Sequence, residues 1–282
     1  MRLYVFDDHR IGVGVRDNGI ADITALVGSV PKPDRMTELI TRWRDVADDI
    51  RRAANGPADH VLSDVVIRPP QPRPRTIVAA PVNYVRHQAE MGGDAGVYRG
   101  SDVQTIETYA GFLKASSSIV GPDGAIELPF SDRRVDHEGE VGVVIGRTAS
   151  RVPRERAFEY VFGYVPLLDI TLRGAEDRSF RKSFDTFTPI GPAIVTVDEV
   201  ADPADIAFRL SVNGEERQKS TTRHLIYDIA QLIELYTGAM TLQPGDLIAT
   251  GTPEGVGPIA SGDRIDLWID DVGHLSMSVR AR

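Results

Sequence analysis

Two glutamates stand two residues apart in the segment 136–141, immediately before an apolar run. Residues two apart on a β-strand share a face, so Glu138 and Glu140 are predicted to point the same way, about 6–7 Å apart along the strand. Carboxylates on one face repel each other unless a cation lies between them, and Mg²⁺, Mn²⁺ or Ca²⁺ prefers such oxygen ligands. A solvated strand end paired with Arg133 and Arg134 is an equally good interpretation of this segment.

A third acid, Asp169, closes the apolar run 165–168. A carboxylate at the end of a buried strand needs a partner, and a shared metal ion would be one. The alternative is a local cap for the turn at Ile170 and Thr171. Spacing in the sequence does not bring Asp169 to Glu138, so the metal hypothesis needs a further argument.

A candidate general base lies in residues 84–91, which are predicted to form a short helix. His87 and Glu90 are three residues apart, and that spacing puts both side chains on one helix face within hydrogen-bonding reach. A carboxylate beside an imidazole makes a better general base near neutral pH. An exposed ion pair with no chemical role is the alternative.

Two basic residues could act on an anionic substrate. Lys182 lies between Phe180 and Phe184, where a half-buried ammonium can stabilise an enolate. Arg173 follows Asp169 by four residues and could hold a substrate carboxylate. The alternatives are a basic surface patch for the lysine and a solvated arginine.

A glycine-rich segment, 244–257, is predicted to be a strand that leads into a loop. It lacks the Lys-Ser/Thr pair of a nucleotide-binding P-loop and opens no long helix, which argues against nucleotide binding. Its backbone amides and Thr252 could contact a small polar ligand instead. A tight loop with a purely structural role is the alternative.

The composition excludes several classes of protein. A formal net charge of −9 argues against nucleic acid and anionic membranes as partners, because both require clustered basic charge. The chain has no cysteine, which excludes disulfides, thiolate catalysis and zinc–thiolate sites. No apolar run approaches the roughly 18 residues of a membrane span. We therefore expect a cytoplasmic protein.

The elements that must position these residues fall on two sides of a proline-rich connector. Residues 68–75 contain four prolines, which neither a helix nor a strand interior tolerates, so we predict a domain boundary between 1–70 and 71–282. Strands and one helix, 37–54, are predicted before it. The polar, glycine-bearing stretch 92–111 could form a lid. Beyond the lid we predict strands at 139–145, 163–168, 193–196, 207–212, 246–250, 264–269 and 276–280, a hairpin turn at Asn213-Gly214, and a helix at 225–237.

Taken in order, these motifs resemble those of the fumarylacetoacetate hydrolase family, over about residues 71–282. The ordered set is specific, although any one motif would be weak. The matching motifs are Asn83-Tyr84 with His87 and Glu90, His137-Glu138-Gly139-Glu140 continuing to Gly146, Gly163-Tyr164 with Asp169, Lys182-Ser183-Phe184 continuing to Pro192, Val212-Asn213-Gly214-Glu215 with Arg217-Gln218, and Leu242 to Asp246 with Thr250 to Gly257.

The resemblance implies an α+β fold that is mostly β, a mixed β-sandwich roll with a small N-terminal α+β domain, assembled as a homodimer. By position it implies Mg²⁺ or Mn²⁺ bound by three acids, an acid/base dyad, an enolate-stabilising lysine, and substrate contacts. These residues are Glu138, Glu140 and Asp169 for the metal, His87 and Glu90 for the dyad, Lys182, and Arg173, Thr252 and Tyr84 for the substrate. One departure is Glu176, which stands where a glutamine is common, in a segment that is shorter than usual.

The implied substrate is a small 2-oxo or 2-hydroxy carboxylate, and three reactions suit the site. A hydrolase would cleave a C–C bond of a 2,4-dioxo carboxylate through a metal-stabilised enolate, with His87 activating water. A decarboxylase would reach the same enolate by losing carbon dioxide, and an isomerase or tautomerase would only move a proton. The presence of both His87 and Glu90 favours hydrolysis. A non-catalytic carboxylate-binding protein is the remote alternative.

Overall fold

The computed structural model describes residues 1–16, 18–91 and 105–282, with the backbone alone at Met91. Within these ranges the strands are β1 Arg2–Phe6, β2 Arg10–Val15, β3 Gly19–Asp22, β4 His60–Val61, β5 Ile67–Arg68, β6 Ile77–Ala79, β7 Phe112–Lys114, β8 Ile119–Val120, β9 Ala125–Leu128, β10 Val135–His137, β11 Gly139–Ile145, β12 Val161–Leu168, β13 Thr171–Leu172, β14 Thr188–Pro189, β15 Ile194–Thr196, β16 Ala207–Val212, β17 Glu215–Thr221, β18 Leu247–Ala249, β19 Gly257–Pro258, β20 Arg264–Ile269 and β21 Gly273–Ala281. The α-helices are α1 Arg35–Thr41, α2 Trp43–Ala54, α3 Val85–Met91, α4 Ile106–Tyr109, α5 Arg178–Arg181 and α6 Ile229–Ala239. Most of the predicted lid lies outside the described residues, so the lid stays a prediction.

Two β-sheets form the sandwich. The larger has eleven strands in the order β4-β3-β2-β1-β15-β12-β11-β18-β6-β7, with β5 paired to β1, and the smaller has the order β17-β16-β20-β21-β9. One apolar core joins them, because Val141 and Val143 of the larger sheet cluster with Leu210 and Leu267 of the smaller. The predicted class, α+β and mostly β, is confirmed.

The N-terminal strands extend the larger sheet. Strand β1 pairs antiparallel with β15, Leu3 opposite Ile194, so residues 1–70 and the rest of the chain share one sheet. The division of the chain at residue 70 remains a prediction.

The predicted helix over 37–54 is wrong in one respect, because the structure has two helices, α1 and α2, separated at Arg42. Arg42 leaves helical geometry with φ −93° and ψ 13°. Its guanidinium donates a hydrogen bond to the carbonyl of Leu26. Directly after the break, Trp43 meets Phe162 of β12 edge-on, with ring centroids 4.9 Å apart. These tertiary contacts accompany a break that the apolar pattern does not signal.

The predicted helix at 225–237 begins later than expected, at Ile229. Asp228 caps it, since its side chain accepts from the backbone N–H of Gln231 while the Gln231 side chain accepts from the N–H of Asp228. Leu225 pairs instead with Tyr84 in an isolated β-bridge. The hairpin turn at Asn213-Gly214 is confirmed, with positive φ values of 53° and 82°.

Five neighbouring strands of the larger sheet bring the candidate residues to one edge. Strands β12 and β11 are antiparallel, as are β11 and β18, whereas β18 and β6 are parallel and β6 and β7 antiparallel. The carboxyl ends of β12, β18 and β6 therefore meet the amino ends of β11 and β7. Residues far apart in sequence converge at this edge.

Candidate active site

The three predicted acids come together at that edge. One carboxylate oxygen from each of Glu138, Glu140 and Asp169 lies within 4.8 Å of the other two, and all three side chains are buried. The register of β11 against β12 explains this, because Gly139 faces Leu168 and the N–H of Asp169 donates to the carbonyl of Glu138 at 2.8 Å. Glu138 itself lies between β10 and β11 rather than within a strand.

A solvated strand end is ruled out as an interpretation of the two glutamates. Glu138 is 6% exposed and Glu140 1%. Arg133 pairs instead with Glu176, and the Nε of Arg134 donates to Asp136 at 2.7 Å.

Lys182 lies against the acid cluster, and its predicted role at an enolate stays a prediction. Its Nζ donates to Glu138 Oε2 at 2.7 Å, to Asp169 Oδ2 at 2.7 Å and to the hydroxyl of Thr171 at 2.6 Å. The predicted surface patch is excluded, because Lys182 is buried.

A second buried lysine, Lys114, was missed by the sequence reasoning. Its Nζ donates to Asp169 Oδ1 at 2.5 Å and to the carbonyl oxygens of Lys182 and Phe187 at 2.6 and 3.2 Å. Asp169 therefore receives a lysine on each carboxylate oxygen. One signal could have found it: a lysine in the short β-segment 112–114 that shares a strand face with Phe112.

Arg173 joins the cluster from the loop after β13. Its Nε donates to Asp136 Oδ2 at 2.7 Å, and its Nη2 to Glu138 Oε1 at 3.3 Å. Arg173 is therefore held by two acids at the pocket wall, and the predicted alternative of a solvated arginine does not apply.

The charges in the cluster are unequally balanced. Burial would raise the pKa of Glu138, but Lys182 and Arg173 outweigh it and hold that pKa far below its usual range. Glu140 behaves oppositely: burial, then the neighbouring Asp169, raises its pKa well above the usual range. Its Oε2 accepts a hydrogen bond from the N–H of Gly251 at 2.8 Å. A buried, all-oxygen set of three acids, one of them poorly compensated, fits a divalent cation.

His87 and Glu90 form the predicted pair on α3. The Nδ1 of His87 lies 3.0 Å from Glu90 Oε2, and His87 is 4% exposed. Burial acts to raise the pKa of Glu90, but the hydrogen bonds with His87 and with the N–H of Gly255 lower it overall. An exposed ion pair is excluded for His87, and its Nε2 is left as the nitrogen that can act on a ligand.

The glycine-rich loop after β18 is held beside the site by hydrogen bonds that involve the side chains of Thr252, Gln218 and Asn83. The hydroxyl of Thr252 donates to the carbonyl of Gly139 at 3.0 Å and accepts from Gln218 Nε2 at 2.8 Å. Gly251 has φ 99° and approaches Asn83, so that a side chain there would clash. Asn83 Nδ2 donates to the carbonyl of Thr250 at 2.8 Å.

One pocket unites most of the predicted residues. It is lined by His87, Glu138, Glu140, Arg173, Lys182 and Thr252, among others. Tyr84 is not among its lining residues: it packs edge-on against Phe208, and its buried hydroxyl has no hydrogen-bond partner in the described part of the chain. Its predicted contact with substrate stays a prediction.

Two further arginines line the same pocket, and sequence reasoning assigned neither of them a role. They are Arg178 and Arg181, the first and last residues of α5. Glu176, which departs from the family pattern, points elsewhere and forms two hydrogen bonds of 2.8 Å with Arg133. The sequence signal for the two arginines is the basic run 178–182, which also contains Lys182.

Comparisons with known proteins agree with this geometry. The family model "Fumarylacetoacetate (FAA) hydrolase C-terminal" matches residues 76–280. A maleylpyruvate hydrolase of Aquipseudomonas alcaligenes is 38% identical over 100% of both chains. The oxaloacetate tautomerase YisK of Bacillus subtilis is 36% identical over 77% of this chain and 74% of its own.

A solved structure covers the whole chain. Maleylpyruvate hydrolase from Sphingobium sp. SYK-6, in complex with a manganese(II) ion and pyruvate, is 42% identical, with a TM-score of 0.87 over 100% of this chain and 99% of its own. Within the described residues no helix is long and apolar enough to cross a membrane.

Because the family model and the full-length relatives match it, the chain belongs to the fumarylacetoacetate hydrolase family of metal-dependent enzymes.

Proposed function

We propose that the chain hydrolyses a C–C bond in 2,4-dioxo carboxylates of the acylpyruvate type and releases pyruvate. The observation that carries this is the convergence of Glu138, Glu140, His87 and Lys182 in one pocket. Asp169 completes the acid cluster behind them, and Glu90 holds the ring of His87. The maleylpyruvate hydrolases that resemble the chain over its full length support the same reaction.

Glu138, Glu140 and Asp169 would hold the divalent cation. When bound, the cation supplies Lewis-acid polarisation of the substrate's 2-oxo carboxylate end. We propose Mg²⁺ or Mn²⁺, since both prefer carboxylate oxygens, and a solved relative contains manganese.

His87 would act as the general base. Glu90 orients the ring through Nδ1 at 3.0 Å, so Nε2 takes a proton from water and the resulting hydroxide adds to the C4 carbonyl. The bond between C3 and C4 then breaks, and its electron pair stays on C3 as the enolate of pyruvate. A proton returned to C3 completes pyruvate, and the hydroxyl oxygen leaves in the new acid from C4.

Lys182 and Arg173 would bind and stabilise the anionic parts. Buried beside Glu138 and Asp169, the ammonium of Lys182 places positive charge where the enolate develops, and it needs little reorganisation to do so. Arg173 and Thr252 line the pocket, and we propose them as substrate contacts.

A tautomerase acting on oxaloacetate is the second candidate. Two oxaloacetate tautomerases resemble the chain, at 36% and 32% identity. That reaction would use the same acids and a base but no attacking water. Decarboxylation of oxaloacetate would use the same enolate, and a non-catalytic carboxylate-binding protein would need to have lost acids or a base that this chain retains.

The assembly and compartment follow the earlier expectations. We propose a homodimer, as the family resemblance implies, that works in the cytoplasm in the breakdown of aromatic compounds.

The test is a Mn²⁺-dependent screen of acylpyruvates, oxaloacetate and 2-hydroxy-dienedioates. We expect pyruvate release from acylpyruvates, which a chelator abolishes and Mn²⁺ restores. Enol–keto conversion of oxaloacetate without cleavage of acylpyruvates would favour the tautomerase. Full acylpyruvate hydrolysis by His87→Ala would show that His87 is not the general base. Equal Mn²⁺ affinity of the wild type and of a variant with both Glu138→Ala and Glu140→Ala would show that these glutamates do not bind the metal.

A further inference from the structure

The pocket wall carries more positive charge than its acids compensate. Four basic residues line it, and they divide into two pairs. Lys182 and Arg173 are ion-paired with buried carboxylates. Arg178 and Arg181, by contrast, form no ion pair with any acid in the part of the chain that the structure describes. This second pair is free to meet an anion from outside.

Arg178 is held in place by aromatic rings rather than by acids. Its guanidinium carbon lies 4.8 Å from the ring centroid of Tyr109 and 5.6 Å from that of Phe112. Its Nη1 is buried and has no hydrogen-bond acceptor among the described residues. A buried N–H group without an acceptor is unfavourable, so this atom has an unmet need for an anionic or polar oxygen.

Arg181 is fixed by backbone groups one helical turn further on. Its Nε donates to the carbonyl of Glu176 at 2.8 Å, and its Nη1 to that of Leu172 at 3.1 Å. Burial, then the nearby charges of Arg173 and Arg178, lowers the pKa of Arg181. A bound carboxylate would relieve this repulsion between like charges.

The position of Phe112 relates the arginines to the reacting end of the pocket. Lys182 Nζ lies 5.4 Å from the centroid of this ring, and Arg178 approaches the same ring at 5.6 Å. Lys182 and Arg178 therefore lie near the same ring, and Arg181 lines the same pocket from the other end of α5. A second carboxylate on the acyl part of the substrate would find both arginines in this pocket.

We propose that Arg178 and Arg181 bind a second carboxylate, on the acyl part of the substrate, and so make the enzyme selective for 2,4-dioxo dicarboxylates. The inference rests on the proposed function and deepens it by naming the substrate class. Guanidinium groups suit this role because they bind carboxylates with two parallel hydrogen bonds and are weakly hydrated. The two arginines are specificity residues, and neither takes part in the cleavage step.

The experiment compares a dicarboxylate with a monocarboxylate of the same reaction. We would measure kcat/KM with Mn²⁺ for maleylpyruvate, which has the second carboxylate, and for acetylpyruvate, which lacks it. The ratio of the two values is expected to fall about tenfold or more in Arg178→Leu and in Arg181→Leu, mainly through KM for maleylpyruvate, since one charge-assisted contact contributes that much. Arg178→Lys should recover part of the ratio.

A matched control is Arg209→Leu. Arg209 also stacks on an aromatic ring, that of Trp268 at 4.6 Å, but lies outside the pocket, so its ratio should equal that of the wild type. Circular dichroism would confirm that each variant is folded, with Arg178→Gln and Arg181→Gln as replacements for a leucine variant that is not.

Two different results would overturn the proposals, and they are distinguishable. If the wild type cleaves either substrate but the ratio falls by less than threefold in both arginine variants, the second-carboxylate site is wrong and the hydrolase stands. If the wild type with Mn²⁺ cleaves neither substrate, the proposed function fails and the inference falls with it.

Discussion

The pocket floor and the N-terminal region bury different kinds of side chain. The pocket floor is the cluster of three acids and two lysines, all less than a tenth exposed: Glu138, Glu140, Asp169, Lys114 and Lys182. Residues 1–54 contribute an apolar cluster to the same large sheet, with fully buried side chains such as Leu3 and Ile11. One region gathers buried charged side chains, and the other gathers buried apolar side chains.

The difference indicates which region lowers the stability of the fold in order to hold functional residues. Buried acids are unfavourable unless each is compensated, and Glu140 is the poorly compensated member of the floor. Apolar burial in the N-terminal region stabilises the shared sheet at no such cost. Substitutions in the two regions should therefore separate activity from stability.

The largest effect is expected from Glu138→Ala. Removing one metal ligand, and leaving Lys182 without one of its two acid partners, should lower kcat/KM by about 10⁴-fold, since metal polarisation supplies several kcal/mol. Steady-state kinetics with saturating Mn²⁺ measure it. Glu215→Ala, which removes an exposed acid paired with Arg217, should leave the rate unchanged. Equal kcat/KM values for Glu138→Ala and Glu215→Ala would contradict the assignment of the chemistry to the pocket floor.

A smaller loss of activity is expected from His87→Ala on α3. Loss of a general base should lower kcat by about 10²–10³-fold, and Glu90→Gln, which only weakens its orientation, should lower it less. Gln88→Ala on the same helix is the control, because Gln88 is exposed. A Glu90→Gln defect larger than that of His87→Ala would mean that Glu90, not His87, takes the proton.

The opposite outcome is expected from Ile11→Ala in β2. Ile11 is fully buried, and its truncation should lower the free energy of unfolding by about 2–5 kcal/mol. Below the melting transition, kcat should stay within about twofold of wild type, because the residue is far from the chemistry. Urea unfolding and kinetics on one preparation measure both. Arg16→Ala, at an exposed position of the same region, should change stability by less than about 0.5 kcal/mol.

The smallest effect concerns metal binding and Glu140. Because its folded pKa is raised, the metal-free protein loses stability as pH rises above the usual carboxyl range, so metal-free Glu140→Gln should melt higher than metal-free wild type at neutral pH. Added Mn²⁺ should stabilise the wild type by about 2.7 kcal/mol at a hundredfold excess over Kd, and the variant by less. Thermal melts of both proteins with and without Mn²⁺ measure the two melting temperatures and the shift that Mn²⁺ causes in each. An equal Mn²⁺ shift in both proteins would show that Glu140 is not a ligand.

Part of the site could be predicted from the sequence because its residues are neighbours along the chain. The His87–Glu90 pair follows from the period of one helix, and the β11 strand from the apolar run 141–145 that makes up most of it. The helix break at Arg42 was not readable, because its contacts with Leu26 and the packing of Trp43 on Phe162 come from distant parts of the chain.

The amino-acid sequence by itself determined the ordered motifs, and through them the family and the identity of the three acids. Only the tertiary structure decided that Glu138 and Glu140 are buried rather than solvated, and that strand register brings Asp169 beside them. It alone revealed Lys114 between Asp169 and the carbonyl of Lys182. The physical reason is that the charge of a buried group is balanced by neighbours in space, which sequence spacing does not specify.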